Sequence, residues 1–327
     1  MRAQQLSTFV VFLCSLVAIV SPTERSTAQT PKWPQRPVHF IVPLGPGSGV
    51  DITARILADK LSTKWGQPVV VENKPGGDAF IAIMAVINAH DDHVLLFAPA
   101  SSFTGVQYLH DKVPYKIDDL VPIARVTNTV IGIGVPTSLG VGTLKEFVAK
   151  VRAEPGKLNY AGVTGTNDLV FAGFLKTEKL DMAKVPYKDT VAAINDLADG
   201  RIHSFIAAYA ILRPRVQSGK VKVLALTNHQ RAPSLPNIPT AVEAGFRSLD
   251  FDGLTGLLGP RDMPLSLRER IAVDIHEIIT DPAIGARLTA TGQVINPGSP
   301  QEFTAAIDEQ RATVKQIGKT LGIQPAL

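Results

Sequence analysis

The chain of 327 residues carries a single cysteine, Cys14. It lies within the apolar run Phe9 to Val20, so everything after that run has no thiol. Structural disulfides, a cysteine nucleophile and thiolate metal sites are thereby excluded from the folded part. Long apolar stretches are also scarce: this run is about twelve residues, against the roughly 20 that span a bilayer. Charge is thinly spread, with 33 Lys and Arg against 29 Asp and Glu, a formal +4. No basic stripe with interleaved aromatics occurs, so no nucleic-acid partner is expected. The seven histidines are dispersed. His276-Glu277 lacks the second histidine of a metalloprotease helix. His90-Asp91-Asp92-His93 has metal-ligand types but reads as a solvated turn. No serine sits in a Gly-x-Ser-x-Gly elbow, since Pro46 and Val50 flank Ser48. No residue set for catalysis is present, and neither a metal nor a cofactor is expected.

The first residues read as an export signal. Arg2 precedes the apolar run, and Ser26-Thr27-Ala28 offers small residues for a cut after Ala28. Residues 1–28 are therefore expected to be a cleavable signal peptide and the mature chain periplasmic. Leu13 stands where a lipoprotein signal would place a small residue before Cys14. Removing Arg2, Glu24 and Arg25 leaves a charge of +3. At 45% apolar and 19% charged residues the rest is ordinary globular material. Its length predicts about two domains at roughly 150 residues each.

Apolar periodicity alternates between strand and helix. VHFIVP (Val38–Pro43) reads as a buried strand. A helix follows, with Asp51 at the N-cap, Ile52, Ile56, Leu57, Leu61 and Trp65 on one face, and Gly66 as terminator. Gln67–Asn73 is a second strand, Phe80–Ala89 a helix and His93–Ala100 a third strand. This βαβαβ order predicts an α/β fold with mostly parallel sheet. The pattern resumes with a strand at Val130–Pro136 and a helix from Thr143 to Arg152. There Thr143 and Glu146 have capping-box spacing. A strand at LNYAG, a helix to Lys179, a helix at Thr190–Asp199 and strands at Ile202–Ala208 and Lys220–Asn228 follow. A short helix is expected at Thr240–Ala244, and three helices over Leu265–Gly322. LysValProTyrLys occurs at 112–116 and again at 184–188, compatible with two similar lobes.

The stretch IVPLGPGSGVDITARIL (Ile41–Leu57) resembles a nucleotide loop. Its spacing is Gly-x-Gly-x-Gly, Pro46 removes an amide, and no Gly-Lys-Ser/Thr occurs. Glu72 nevertheless stands where a ribose-binding acid would. A tight turn without ligand is the plain alternative. What the loop does supply is helix N-terminal amides without partners and a dipole worth roughly 0.3–1 kcal/mol to an anion. A carboxylate suits it as well as a phosphate. VTGTND (Val163–Asp168) repeats the arrangement in the second half.

The succession VPLGPGSGVD, VVVENKPGGD, VPYK and RAPSLPNIPTAVEAG resembles the Bug-type (TctC-like) extracytoplasmic receptors of tripartite tricarboxylate transporters, over about Trp33 to Gly318. The resemblance implies a two-lobed, type II (Venus-flytrap) periplasmic binding fold. Lobe one would be 31–129 plus 250–327 and lobe two 130–249, crossing near Val130–Pro136 and Leu249–Leu258. It implies a small-carboxylate ligand, delivery to membrane transporter subunits, and a monomer. The ligand loops map onto Leu44, Gly45, Pro46, Gly47, Ser48 and Gly49 with Asp51, onto Ser101 and Ser102, and onto Thr164, Gly165, Thr166 and Asn167. Gly77, Asp78, Tyr187 and Ala207 complete the expected set. Three positions depart from the family pattern: Asp78 in Pro75–Ala79, Asn167-Asp168-Leu169 in place of an ending in His-Leu, and Ala207 where an acid is frequent. They imply a ligand with one well-held carboxylate and a neutral or apolar body. A nucleotide-dependent enzyme and a sensor for a signalling partner are the alternatives.

Overall fold

The computed structural model describes residues 33–163, 165–187 and 190–326. The expected signal peptide, Cys14 and Thr164 lie outside them. The chain opens with β1 (Val38–Val42), α1 (Gly49–Trp65), β2 (Val69–Asn73), α2 (Phe80–Ala89), β3 (Val94–Pro99) and a single-turn α3 (Ser101–Thr104). β4 (Leu120–Thr129) then leads directly into β5 (Ile131–Pro136). The middle of the chain holds α4 (Leu144–Ala153), β6 (Asn159–Val163), α5 (Thr166–Thr177), β7 (Ala183–Tyr187), α6 (Thr190–Ala198), β8 (Phe205–Ala208), α7 (Tyr209–Gln217) and β9 (Val221–Leu226). The end holds β10 (Gly253–Pro260), α8 (Leu265–Ile279), α9 (Pro282–Ala290), β11 (Gln293–Gly298) and α10 (Pro300–Leu321).

Two sheets define two lobes. The first is six-stranded, ordered β11-β4-β10-β3-β1-β2. β1 pairs in parallel with β2 and β3, whereas β10 runs antiparallel to β3 and β4, and β11 antiparallel to β4. Four of its six strands thus point one way. The second sheet is ordered β8-β5-β9, and β6-β7 joins it through a parallel bridge between Tyr160 and Ser204. Here β5 is the antiparallel strand. β5 and β10, which follow the crossings between lobes, run against their neighbours, as does the edge strand β11.

The apolar strand Val38–Val42 is buried because it has neighbours on both sides, and β2 is half-exposed because it is an edge. Gly66 ends α1 in the left-handed region at φ 69°, its amide bonded to Ser62 O. Thr143 caps α4 as its spacing predicts, accepting Glu146 N at 3.2 Å. Glu146 reaches past it to Gly142 N at 2.6 Å.

Several elements differ from the sequence reading. β10 carries Gly253, Gly256, Gly259 and Pro260, which disguise it, yet every residue but Pro260 is buried. Gly256 is required there, since a Cβ would collide with Ala124 O and come 2.5 Å from the Phe303 ring. β11 contains Pro297-Gly298 and falls inside the span expected to hold helices; it is an edge strand, where proline is tolerated. Thr240–Ala244 is a turn rather than a helix. The two copies of LysValProTyrLys fall at unlike places, the first in a loop after α3 and the described residues Lys184–Tyr187 of the second in the edge strand β7, so they do not mark equivalent positions. α10 serves both lobes: Phe303 and Ile307 pack with Ile41, Leu96 and Leu258, while Val314 and Ile317 pack with Phe171 and Phe174. Each such large side chain contributes about 1.5–3 kcal/mol on burial.

Candidate functional site

The first candidate loop joins β1 to α1. Ser48, extended at φ −65° and ψ 154°, is the N-cap, and its Oγ accepts Asp51 N at 3.2 Å. Asp51 is therefore not the cap expected from sequence; it is the third helical residue, and its side chain folds back beneath the loop. Asp51 Oδ2 accepts Gly47 N at 2.8 Å and Arg55 Nε at 3.1 Å. Asp51 Oδ1 accepts Asn73 Nδ2 at 2.8 Å, and the same amide reaches Leu44 O at 2.9 Å. Burial alone would raise the Asp51 carboxyl, but its bonds to Arg55, Gly47 and Asn73 outweigh it and hold the pKa low. Asp51 is 2% exposed, so it frames the loop and does not face a ligand.

Gly47 has φ +84°, and a Cβ on Gly45 or Gly47 would meet nothing within 4 Å, so this side of the loop is open. Ser48 N bonds Gly45 O at 3.3 Å and Ile52 N bonds Ser48 O at 2.9 Å. Among the described residues, the amides of Gly45, Gly49 and Val50 have no acceptor. These amides lie at the positive end of a 17-residue helix, a setting that favours an anion. Pro46 contributes none.

The second loop joins β6 to α5. Gly165 sits at φ +136° before the helix, with open space around its Cα. Asp168 N and Leu169 N bond back to Gly165 O, leaving Thr166 N and Asn167 N without acceptors among the described residues. Thr166 is 3% exposed, and its Oγ1 donates to Ser101 O at 2.7 Å. The hydroxyl expected to hold ligand is thus spent on a contact between the lobes. Asn167 Oδ1 is buried without a partner among the described residues. Asp168 pairs with Lys184 Nζ, and burial, its largest influence, raises its pKa despite that lysine.

The remaining expected residues lie on other elements. Ser101 and Ser102 start α3, and their amides find no acceptor among the described residues. Gly77 and Asp78 form a tight turn with φ 56° and 49°, and Asp78 Oδ2 lies 2.7 Å from His110 Nε2. Tyr187 donates its hydroxyl to Asp196 Oδ2 at 2.6 Å, and burial followed by Asp196 pushes its pKa up to about 12. Ala207 lies in β8 opposite Gly132, buried among Ile194, Leu197 and Leu212.

The sequence reading missed a third junction. The turn before β11 passes between loop one and the second lobe: a Cβ on Gly49 would lie 2.6 Å from Gln293 Nε2, and one on Gly292 would lie 3.5 Å from Ala210 N. Val130 N bonds Gly292 O, and Tyr209 N bonds Val130 O. The start of α7 is therefore brought to the border of loop one. Only the pairing of β11 with β4 makes this visible. No described hydrogen bond joins loop one directly to Gly165–Asn167.

Other readings find their groups already engaged. Glu72, the candidate ribose acid, is held by His39 Nδ1 at 2.6 Å and Lys74 at 3.1 Å. Asp91, Asp92 and His93 lie together, but Asp91 takes Arg36 at 2.6 Å and His93 Nδ1 faces Asp92 at 2.6 Å. His93 Nε2 accepts Gln35 N at 3.3 Å, so neither ring nitrogen is left for a metal. A groove of about 530 Å³ bordered by Tyr115, Arg261 and Arg311 lies in lobe one, away from all three loops.

Two α/β sheets joined by crossing strands, with strand-to-helix loops gathered where they meet, define the bilobal class of periplasmic binding proteins. Solved members of that class superimpose well. A structure described as a periplasmic transporter aligns with TM-score 0.78 at 28% identity, covering 89% of this chain and 99% of that one. An R. palustris protein with adipate aligns with TM-score 0.80 at 25% identity, over 90% and 100%. The periplasmic binding protein BugD, at 24% identity and TM-score 0.73 over 89% and 99%, shares the fold. The family model for the tripartite tricarboxylate transporter family receptor, TctC, matches residues 53–323, and the chain belongs to this family. Relatives include BugT of Bordetella pertussis, 26% identical across 98% of this chain and 100% of BugT. A UPF0065 protein of Bordetella bronchiseptica is 28% identical over 91% and 89%. Among the described residues no helix is long and apolar enough to cross a membrane.

Proposed function

We propose that this protein is a periplasmic receptor that captures a small carboxylate between lobe one (31–129 plus 250–327) and lobe two (130–249). It hands the ligand to membrane subunits of the tripartite tricarboxylate type. It acts as a monomer, without catalysis, after removal of residues 1–28. The observation that carries this reading is the set of amides of Gly45, Gly49 and Val50 without an acceptor among the described residues, beside the open space at Gly45 and Gly47. One carboxylate bound there is held by main chain and helix dipole, with no lysine or arginine needed.

The rest of the ligand is neutral or apolar. Asp78, Asp168 and Asp51 are all committed to protein partners, and the position of a frequent acid is Ala207. Each of these acids already has a protein partner, and no lysine or arginine lies among the described residues of the two loops, so neither a ligand ammonium nor a cluster of further carboxylates is favoured. The related R. palustris protein with adipate supports an acid borne on a methylene chain. Calorimetric titration with hexanoate, adipate, malate, aspartate and citrate tests the reading, with NADH as the control for the nucleotide alternative. Hexanoate is expected to bind at least as tightly as adipate, whose second carboxylate has no cation in either loop, and NADH not to bind. Tight citrate or aspartate binding overturns the ligand class.

A further inference from the structure

We propose that Asp252 is the positioning residue that sets the angle between the two lobes, and through it the fraction of protein able to close on ligand. The inference rests on the capture mechanism above. The chain crosses between lobes twice, from β4 into β5 and again just before β10. The two crossings lie side by side in the first sheet, Gly253 opposite Thr129 and Leu254 opposite Asn128. Gly253 is tight enough there that a Cβ would collide with Thr129 O.

Asp252 is the residue where these connections meet. Its Oδ2 accepts Asn128 Nδ2 of the first crossing at 2.7 Å. Its Oδ1 accepts Asn228 Nδ2 and His229 N, at the lobe-two end of β9, each at 3.2 Å. Its backbone carbonyl accepts Gln310 Nε2 from α10 at 2.9 Å. Asn228 closes the ring by donating to Thr129 O and accepting Ile131 N, both at 3.0 Å.

The connection runs on toward the loops. Gln310 Oε1 accepts Thr104 Oγ1 at 2.8 Å, and Thr104 lies in α3 with Ser101, whose carbonyl takes the Thr166 hydroxyl. The Asp252 side chain is 12% exposed, so water competes weakly for these bonds. None of its partners lies in the Gly45–Gly49 loop. Asp252 therefore acts on lobe geometry rather than on ligand contact. Among the described residues, Asn128 Oδ1 has no partner. An asparagine at 252 can turn its amide toward that oxygen and keep the first crossing tied, which an alanine cannot.

Interlobe distances measured in ligand-free protein test this. Spin labels go on Lys60→Cys in α1 and Ala149→Cys in α4, both exposed, in a Cys14→Ser background. Asp252→Ala is expected to broaden the distance distribution about twofold relative to the parent, and Asp252→Asn to stay close to it. Leu212→Ala, which cuts the lobe-two core, serves as the control that lowers thermal stability without broadening. A parental distribution in folded Asp252→Ala, or equal broadening in Leu212→Ala, overturns the proposal. Should Asp252→Ala not fold, Asn228→Ala decides in the same way: broadening supports the pivot, and a parental distribution overturns it. No ligand enters these measurements, so failure of adipate or hexanoate to bind the parent sinks the carboxylate reading and leaves the pivot to be judged on the distances.

Discussion

The Gly47 amide lies 2.8 Å from Asp51 Oδ2, so a carboxylate of the protein itself occupies the middle of the glycine loop from below. That bond ties the loop to the helix beneath it, while the amides of Gly45, Gly49 and Val50 find no acceptor among the described residues. Asp51→Ala removes acceptors from Gly47, Arg55 and Asn73 together. A loss of about 2 kcal/mol in unfolding free energy is expected, by chemical denaturation, with weaker ligand binding. The pH dependence follows from a depressed pKa. The contribution is present above the unfolded-state value of about 3.9 and is lost as pH falls through the lower folded value. Asp51→Asn should flatten that acid limb of the stability profile.

Gly47 separates charge from strain. At φ +84° any side chain costs roughly 1–2 kcal/mol, and a Cβ there points into open space. Gly47→Ala is expected to keep binding within about tenfold, the strain being partly shared by free and bound forms. Gly47→Asp adds a negative charge where the ligand's belongs and should abolish measurable binding in calorimetry. Equal affinities for the two variants would remove loop one from the site.

Thr166 tests the contact between lobes. Replacing this buried residue by valine leaves the part-buried Ser101 O without its donor. A loss of about 1–2 kcal/mol is expected, read by the denaturant midpoint. Tyr187→Phe makes the complementary point. Its hydroxyl is already given to Asp196, so ligand affinity should change less than about twofold, while stability falls by about 1 kcal/mol.

His229 supplies a titration at the hinge. Burial alone would lower its pKa, but Asp250 at 2.5 Å, with Asp252 and Glu309 nearby, raises it overall. A raised folded pKa means the contribution is fully present below the unfolded value of about 6.5 and is lost as pH rises through the folded one. Melting temperatures measured from pH 5 to 9 should show this decline, and His229→Gln should remove it.

What the amino-acid order determined by itself was local. The apolar runs of β1 and β3, the exact span Phe80–Ala89 of α2, the Thr143 cap and the Gly66 stop each depend on neighbours within a turn or a strand. The two glycine loops were legible for the same reason. β10 and β11 were not, because their glycines and prolines obey neighbours far along the chain, such as Phe303 packed on Gly256. Nor could the order of residues say which polar groups were already spent. Asp51 on Gly47, Thr166 on Ser101 and Tyr187 on Asp196 look equally available until folding assigns their partners. Tertiary structure decided that assignment, because a hydrogen bond needs its two atoms within about 3 Å, and chain order does not fix that distance between residues far apart.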